Sequence, residues 1–232
     1  MKLKIGATSD LHGNLPKITE PCDLFIVAGD ISPLHIQFKM PQMSEWILGE
    51  FVIWVKSIPA DKVILIAGNH DAWLERASEY QIFEMQKATG FKLIYLKNEA
   101  WTYKTDEGDW HLFGTPYCHQ FGTWPFMRDE MTLENHFKKI PDSVDIIISH
   151  DPPFGIGNTD VIQEGFRYYN IENKHLGNKP LSKRLSEIEY KLLICGHIHS
   201  GCHEIDGKCV NVSLLNEEYN VWYNPFYTTL EK

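Results

Sequence analysis

Short apolar runs rich in Ile, Val and Leu recur along the chain, and each ends in a cluster of polar residues. Five such runs, at residues 2–9, 24–28, 63–67, 144–149 and 191–195, have the length of a strand. Continuous apolar runs of this length are typical of strands that are buried on both faces of a sheet. They therefore predict the central strands of an α/β protein.

Segments with helical periodicity lie between these runs. Apolar positions spaced by three and four predict a helix at residues 44–58, which Pro59 would end, and a second helix at 74–89. Shorter helices are predicted at 133–140 and 181–188. Strand and helix therefore alternate towards both ends of the chain.

The centre of the chain is predicted to be rich in β-structure. Residues 91–117 alternate like antiparallel strands and carry a turn at 106–108, and Asp206-Gly207 predicts another hairpin turn. With the flanking strands and helices, this pattern predicts an α/β fold layered around two sheets. A length of 232 residues favours a single domain that spans residues 1–232.

Composition narrows the class of protein. Hydrophobic residues make up 43% of the chain and charged residues 23%, which excludes disorder as the main description. The net charge of −9 disfavours extended nucleic acid as a partner, because binding it needs a basic surface that releases counterions. No apolar stretch approaches the roughly 20 residues that cross a membrane, and the N-terminus lacks a signal-peptide core. The five scattered cysteines form no CxxC pair, so a reducing cytoplasm is the simplest compartment.

The polar clusters after the strands carry the candidate chemistry. Ligands of open α/β sheets bind at the carboxyl ends of the strands, so clusters on one sheet system converge on one patch. This patch would contain the side chains of Asp10, His12, Asp30, Asn69, His70, His150, His197 and His199. Neutral imidazoles and carboxylates suit divalent zinc, manganese or iron. Each cluster alone can be explained as a turn, but the complete set at successive strand ends predicts a metal site.

In order along the chain, the clusters are Asp-x-His, Gly-Asp, Gly-Asn-His-Asp, a single His and Gly-His-x-His. This set resembles the motifs of the calcineurin-like metallophosphoesterase superfamily and spans residues 10–199. The resemblance implies a four-layer αββα sandwich with two central mixed β-sheets, and two bound ions of manganese, iron or zinc. It implies that the first ion is held by Asp10, His12, Asp30 and His199. It implies that the second ion is held by Asp30, Asn69, His150 and His197, with His70 in contact with the phosphate.

The chemistry of such a site is consistent with this assignment. Two cations roughly 3.5–4 Å apart can stabilise the attacking and the leaving oxygen of an in-line displacement. A hydroxide bridging them would be the nucleophile, because coordination lowers the pKa of water. Asp30 has two carboxylate oxygens and would bridge the ions, while His70 would stabilise the departing oxygen. Asp71 either orients the site or caps the following helix.

Two departures from other members of the superfamily bear on the reaction. Protein phosphatases carry arginines that grip a phosphomonoester, but here Ile31 follows Asp30 and Ala67 precedes Gly68. A protein phosphatase is therefore disfavoured. The Asp that many members carry shortly after the Gly-Asp motif is also missing, which leaves the partner of His70 open.

Three further stretches resemble the small metallophosphoesterase-domain-containing phosphodiesterases. They are residues 114–117, the aromatic stretch 121–126 and residues 150–155. The resemblance implies a phosphodiesterase that hydrolyses a small phosphodiester, such as a cyclic nucleotide. The alternatives are a phosphomonoesterase acting on a small or protein substrate, and a non-catalytic metal-binding scaffold.

Other side chains are candidates for contact with the substrate. Trp124 and Phe126 either pack in the core or a lid, or stack a nucleobase beside the metals. Arg128 and Arg167 either contact the phosphate or lie at the surface, and the role of His119 is equally open. The histidines outside the motifs show no spacing that demands a ligand role.

Overall fold

Two five-stranded sheets form the centre of the structure, a computed structural model that describes residues 1–162 and 174–232. In the order in which its strands pair, the first sheet contains β12 (Phe226–Glu231), β1 (Lys2–Thr8), β2 (Cys22–Ala28), β3 (Ala60–Ile66) and β4 (Leu93–Tyr95). The second contains β11 (Cys209–Asn211), β10 (Leu192–Cys195), β9 (Ile146–Ser149), β6 (Gly108–Thr115) and β5 (Glu99–Thr105). Two short parallel strands, β7 (Cys118–His119) and β8 (Met127–Arg128), pair separately.

Both sheets are mixed. Strands β1 to β4 are parallel to one another and β12 runs antiparallel to β1. In the second sheet β11, β10, β9 and β6 are parallel, and β5 forms an antiparallel hairpin with β6. The parallel strands of each sheet therefore end along one edge, where loops from different parts of the chain meet.

Helices cover the outer faces of the two sheets. In chain order they are α1 (Met40–Trp46), a π-helical turn (Ile47–Phe51), α2 (Val52–Ser57), α3 (Ala72–Arg76), α4 (Glu79–Ala88), α5 (Glu130–Phe137) and α6 (Lys179–Leu185). No helix in the described part of the chain is both long and apolar enough to span a bilayer.

The apolar residues form two layers of core that follow from the alternation of side chains along each strand. One layer lies between the sheets, where Ile5 and Ile26 of the first sheet pack in a cluster with Ile146 and Ile194 of the second. The other layer joins the opposite faces of the sheets to the helices. This arrangement confirms the predicted αββα sandwich with two central mixed β-sheets.

The five predicted strands are confirmed as β1, β2, β3, β9 and β10. The predicted helix at 44–58 begins earlier, at Met40, with Pro41 in its first turn, where proline removes no helical hydrogen bond. The predicted helix at 133–140 begins at Glu130, and the one at 181–188 begins at Lys179.

Two local predictions are wrong. The predicted helix at 74–89 is two helices, because Ser78 starts α4 with a capping box in which Ser78 and Gln81 exchange hydrogen bonds. The hairpin turn predicted at Asp206-Gly207 is confirmed, because Asp206 and Cys209 form an antiparallel bridge across it, and the chain then enters β11, which pairs in parallel with β10. The segment 91–117 forms the predicted β5–β6 hairpin, but its first strand, β4, joins the first sheet in parallel.

Candidate metal centre

Five parallel strands bring all the motif residues into one patch. Each strand is followed by a loop that contributes to it: Asp10 and His12 after β1, Asp30 after β2, Asn69 and His70 after β3, His150 after β9, and His197 and His199 after β10. The first three strands belong to one sheet and the last two to the other. The patch therefore lies where the edges of the two sheets meet.

The first set of possible ligand atoms comes from Asp10, His12 and His199, whose donor atoms lie within 4.8 Å of one another. His199 Nε2 is 3.5 Å from Asp10 Oδ1. The other nitrogen of His199, Nδ1, donates to the carbonyl oxygen of Asn216 at 2.8 Å. Such a bond sets the orientation of the ring, so Nε2 is the nitrogen that faces the patch.

A second set contains Asp10, Asp30 and His150, again within 4.8 Å. His150 Nε2 lies 3.3 Å from Asp30 Oδ2 and 3.1 Å from Asn69 Oδ1. His150 Nδ1 donates to the carbonyl oxygen of Ala28 at 2.8 Å, so this ring is oriented in the same way. Asp30 Oδ2 is also 3.7 Å from Nε2 of His12, which places this oxygen between the two sets.

His12 shows that the patch fits a cation. Its ring is buried, and neither Nδ1 nor Nε2 has a hydrogen-bond partner among the described residues. A buried polar atom without a partner costs about 1–3 kcal/mol, so the arrangement needs a further ligand. Burial lowers the pKa of His12 to about 4 against the opposing charges of Asp30 and Asp10, so the imidazole is neutral and has a free lone pair.

Asp30 and His197 are in the protonation states of metal ligands, whereas His150 and His199 would each lose a proton to a bound ion. Burial would lower the pKa of both histidines, but Asp30 raises that of His150 to about 10 and Asp10 raises that of His199 to about 9. Burial alone would raise the pKa of Asp30, but the charge of His150 holds it well below its ordinary value. Burial lowers the pKa of His197 to about 4. Ionised carboxylates and neutral imidazoles are the forms that bind metal ions.

The backbone is strained where it presents these side chains. Asp10, His12, Asp30 and His197 have positive φ angles of 53°, 42°, 53° and 67°. This left-handed region costs non-glycine residues of the order of 1–3 kcal/mol and persists where the surroundings impose it. Two bonds between the loops do so here, from the N–H of Asp10 to the oxygen of Gly29 at 3.0 Å and from the N–H of His12 to the oxygen of Asp30 at 2.9 Å.

The glycines of the motifs allow the loops to approach one another. A Cβ added at Gly68 would collide with Asp30 Oδ1, and one at Gly196 would collide with Asp10 Oδ2. Both positions therefore require glycine for space. The motif glycines are part of the site, although they offer no ligand.

His70 lies beside the two sets and not within them. Its backbone N–H donates to Asp30 Oδ1 at 2.7 Å, and its ring is 4.9 Å from the ring of His12. Its Nδ1 donates to Gln37 Oε1 at 2.8 Å, since an amide oxygen can only accept. Gln37 is therefore the partner of His70 that the motif pattern left open.

Asp71 holds the loop of this motif and makes no side-chain cap to α3. Its carboxylate accepts from the N–H of Gly68 at 2.8 Å, and from the N–H and the hydroxyl of Ser32 at 3.0 and 2.7 Å. Burial, with the nearby charge of Asp30, raises the pKa of Asp71 to about 6. Of the two predicted alternatives, helix capping is wrong, and orientation of the site stays a prediction.

The remaining candidates have different surroundings. Trp124 lies with its ring 4.6 Å from that of His70, whereas Phe126 is fully buried in the core. Arg128 pairs with Glu75 at 3.1 Å, and Arg167 lies outside the described residues.

Several residues at the site were not predicted. Cys118 forms a third set of possible ligands with His150 and His197, within 4.8 Å. The hydroxyl of Ser213 donates to Asp10 Oδ2 at 2.6 Å, and the ring of Tyr219 lies 5.0 Å from that of His12. Residues 209–213 form one more short run that ends in a polar residue, so the strand-end argument could have found Ser213. No comparable signal marks the other two.

His119 lies next to this centre as well. Its Nδ1 and backbone N–H are each 2.8 Å from Asp151 Oδ2, and its ring is 6.3 Å from that of His197. Burial would lower the pKa of His119, but the adjacent Asp151 carboxylate outweighs it and raises the pKa. His119 also lines a cavity of about 370 Å³ together with Arg128 and Lys179.

The patch of candidate metal ligands thus lies between the two mixed sheets of an αββα sandwich. The family model of the calcineurin-like phosphoesterases matches residues 3–201, which include every motif described above. The chain belongs to the calcineurin-like phosphoesterase family. Members of this family use divalent metal ions.

Curated relatives are similar at low identity. The chain is 25% identical over 215 residues to metallophosphoesterase domain-containing protein 1 of Homo sapiens, covering 83% of this chain and 59% of that protein. It is 26% identical over 206 residues to UPF0046 protein K07C11.7 of Caenorhabditis elegans, covering 85% and 63%. It is 27% identical over 207 residues to the probable rhamnogalacturonate lyase C of Emericella nidulans, covering 86% of this chain but 17% of that protein. The chain thus spans only part of the length of each relative.

Solved structures share the fold. The structure of TT1561 of Thermus thermophilus has a TM-score of 0.59 at 13% identity and covers 93% of this chain and 90% of that one. The phosphopantetheinyl hydrolase PptH of Mycobacterium tuberculosis has a TM-score of 0.54 at 12% identity, with the same coverage of 93% and 90%. At these identities the similarity concerns the fold alone.

Proposed function

We propose that this protein is a dinuclear metal-dependent phosphodiesterase that hydrolyses a small phosphodiester. One ion would be held by Asp10, His12, Asp30 and His199, and the other by Asp30, Asn69, His150 and His197. The observation that carries the proposal is the position of Asp30 Oδ2, 3.7 Å from the unpartnered Nε2 of His12 and 3.3 Å from Nε2 of His150. A single carboxylate oxygen thus faces both sets of ligands.

When bound, two such ions supply Lewis-acid activation of the phosphoryl group and a water that is nucleophilic near neutral pH. The chain supplies the remaining groups. Asp30 Oδ1 accepts from the backbone N–H of His70 and so holds the ring beside the centre. Nδ1 of His70 donates to Gln37, so its Nε2 faces the centre and gives a hydrogen bond to the departing oxygen when the ring carries both protons.

The charge around the site supports a diester over a monoester. A phosphomonoester dianion is commonly gripped by arginine in a bidentate contact. In the described chain, Arg128 pairs with Glu75 and Arg184 pairs with Asp142, and Arg76 at the end of α3 lines a cavity that contains none of the candidate ligands. A diester carries one negative charge, which the bound cations can balance without a guanidinium.

Aromatic rings beside the centre support a planar group in the substrate. The ring of Trp124 lies 4.6 Å from that of His70 and 5.8 Å from Phe38, and Phe121 lies 5.6 Å from His197. Phe38 and Phe121 are exposed, at 52% and 58%. Exposed rings can stack a nucleobase, so a cyclic nucleotide is the substrate class that we propose, with Trp124 as a contact.

We also propose that residues 1–232 form one domain and that the protein acts in the cytoplasm. All five cysteines are free thiols in this structure, including Cys195 and Cys209, whose sulfurs are 3.8 Å apart. Such thiols are stable in a reducing compartment. The acidic net charge of −9 supports a small phosphodiester as the partner rather than extended nucleic acid.

The test is hydrolysis of bis-p-nitrophenyl phosphate and of p-nitrophenyl phosphate by protein with a measured metal content. We expect about two equivalents of metal per chain and faster turnover of the diester. The variants Asp30→Ala and His70→Ala should each lose at least about 100-fold in rate, while His111→Ala, on an exposed part of β6, should not. Faster turnover of the monoester would favour a phosphatase instead. A metal-free, inactive protein would favour a scaffold.

A further inference from the structure

Tyr219 places an aromatic ring against two of the candidate metal ligands. Its ring is 5.0 Å from that of His12 at an interplanar angle of 69°, and 5.1 Å from that of His199 at 78°. These are edge-on contacts of the kind that aromatic rings prefer. The residue is still 44% exposed, so one part of it packs on the ligands and another part is open to solvent.

One backbone oxygen, that of Asn216, both orients His199 and holds the loop that carries Tyr219. The carbonyl oxygen of Asn216 accepts from His199 Nδ1 at 2.8 Å and from the N–H of Tyr219 at 2.9 Å. The side-chain oxygen of Asn216 accepts from the N–H groups of Glu218 and Asn220, each at 3.0 Å. The position of Tyr219 is therefore linked to that of a ligand and is not that of a free loop side chain.

The side chain of Glu217 also holds this loop in place through hydrogen bonds to Ser200. Glu217 Oε1 accepts from the N–H and from the hydroxyl of Ser200, each at 2.9 Å. Ser200 directly follows His199, so both ends of the contact belong to the segments that form the site. The loop is thus preorganised before any substrate binds.

The backbone of Tyr219 is strained, with φ at +61°. A bulky side chain is disfavoured in this region, whereas glycine or asparagine would occupy it at little cost. Of the nine non-glycine residues with positive φ in the described chain, four are the candidate ligands Asp10, His12, Asp30 and His197. Backbone strain of this kind is common at functional sites. Tyr219 shares it with His12, which its ring contacts.

The hydroxyl of Tyr219 makes no hydrogen bond to any described residue, so within that part of the chain it is available to a ligand. His12 lies between Tyr219 on one side and His70 on the other, with ring distances of 5.0 and 4.9 Å. The ordinary pKa of a phenol is about 10, so the hydroxyl is a donor at neutral pH. Two potential donors therefore flank the same part of the centre.

We propose that Tyr219 is a catalytic residue that contacts the substrate, its ring walling the site beside His12 and His199 and its hydroxyl donating a hydrogen bond to a phosphoryl oxygen. Negative charge on these oxygens must be stabilised while the phosphoester is cleaved, and a positioned donor in a preorganised loop does so without reorganisation. The inference rests on the proposed function, because it concerns the same phosphoester.

Two variants at position 219 and one control test it. Tyr219→Phe removes only the hydroxyl and should lower kcat/KM for bis-p-nitrophenyl phosphate about 10- to 100-fold, the usual effect of one lost hydrogen bond to a charged oxygen. Tyr219→Gly should lose activity as well, and the backbone at this position accepts glycine. The matched control is Tyr223→Phe, because Tyr223 belongs to the same segment but stacks on His203 at 3.4 Å. Its kcat/KM should stay within twofold of the natural protein.

Two further readouts separate a catalytic role from a structural one. Metal content per chain should be equal in the natural protein and in Tyr219→Phe. The inhibition constant of inorganic phosphate should rise in Tyr219→Phe, because the phosphate loses a donor. An unchanged kcat/KM in Tyr219→Phe, or a loss of metal that accounts for the fall in activity, would overturn the role of Tyr219. A natural protein that binds two metals and cleaves neither test ester would overturn the proposed function instead.

Discussion

Gln37 and His70 form a partly buried pair in which Gln37 Oε1 accepts from His70 Nδ1 at 2.8 Å. Gln37 lies in the loop between β2 and α1, belongs to none of the motifs and is 8% exposed. A neutral amide therefore orients this histidine. The relationship makes Gln37 a positioning residue for His70.

Replacing Gln37 with Ala should lower kcat without removing metal. The ring of His70 would lose the acceptor that fixes its Nδ1, and misplaced general acids commonly cost 10- to 100-fold in rate. Metal content and KM should change little, because Gln37 contacts neither set of ligands. Gln42→Ala, at an exposed position of α1, is the matched control. A full kcat in Gln37→Ala would refute the positioning role.

Exchanging two glycines for alanine should have opposite outcomes. In Gly68→Ala the new Cβ meets Asp30 Oδ1 and the ring of His150, so both metal binding and activity should be lost. In Gly49→Ala the Cβ meets no atom within 4 Å, and the helical position should gain up to about 1 kcal/mol of stability. Metal analysis and thermal unfolding of the two variants check this. Normal metal binding in Gly68→Ala would contradict the crowding argument.

Asp71→Ala should destabilise the fold as well as the site. The carboxylate accepts three hydrogen bonds from Gly68 and Ser32, and its loss leaves buried donors without partners. We expect a fall of about 3 kcal/mol in the free energy of unfolding, measured with urea. Asp129→Ala, which removes the exposed N-cap of α5, should cause a smaller fall. An equal fall in the free energy of unfolding of the two variants would argue against a role of Asp71 in holding these buried donors.

Metal removal should lower the stability of the protein. An ion that binds only the folded chain stabilises it by about 2.7 kcal/mol when the free ion is at 100 times its Kd. The Tm of chelator-treated protein should therefore rise when manganese or zinc is restored. In His12→Ala this rise should be much smaller, whereas His111→Ala should keep it. A Tm that is insensitive to both metals would contradict the proposed centre.

Stability should also decrease on the acid side through His136, which lies outside the centre. Burial, with the charges of Lys139 and Arg128, lowers the pKa of His136 in the folded protein. As the pH falls through the unfolded value of about 6.5, the unfolded chain takes up a proton that the folded chain does not, so folding becomes less favourable. His136→Phe retains a ring to stack on Tyr117, 3.7 Å away, and should weaken this pH dependence. Urea unfolding at pH 7.5 and 5.5 gives the change in the free energy of unfolding between the two pH values for both proteins. An equal change in the two proteins would contradict the assignment.

Local patterns in the sequence were sufficient for the strands and for the motif residues. Each run of Ile, Val and Leu is long enough to be buried only as a strand in a sheet, and parallel strands have to end on one edge. The patch of Asp10, Asp30, His150 and His199 follows from these two facts. Local chemistry also marked the ends of segments, although the serine at position 78, which divides one predicted helix into two, was overlooked.

Tertiary structure alone decided which residues complete the patch. Gln37 and Tyr219 come from loops and Cys118 from the short strand β7, and none of these segments has a periodic pattern. Their positions depend on how the segments pack against the sheet edges. The same holds for β4 and β11, whose partners are set by the registers of β3 and β10. Local patterning along the chain therefore determined the elements and the chemistry of the candidate ligands. The orientation of each ligand was decided only in three dimensions, because hydrogen bonds such as that from His199 to Asn216 join segments whose separation in the sequence carries no signal.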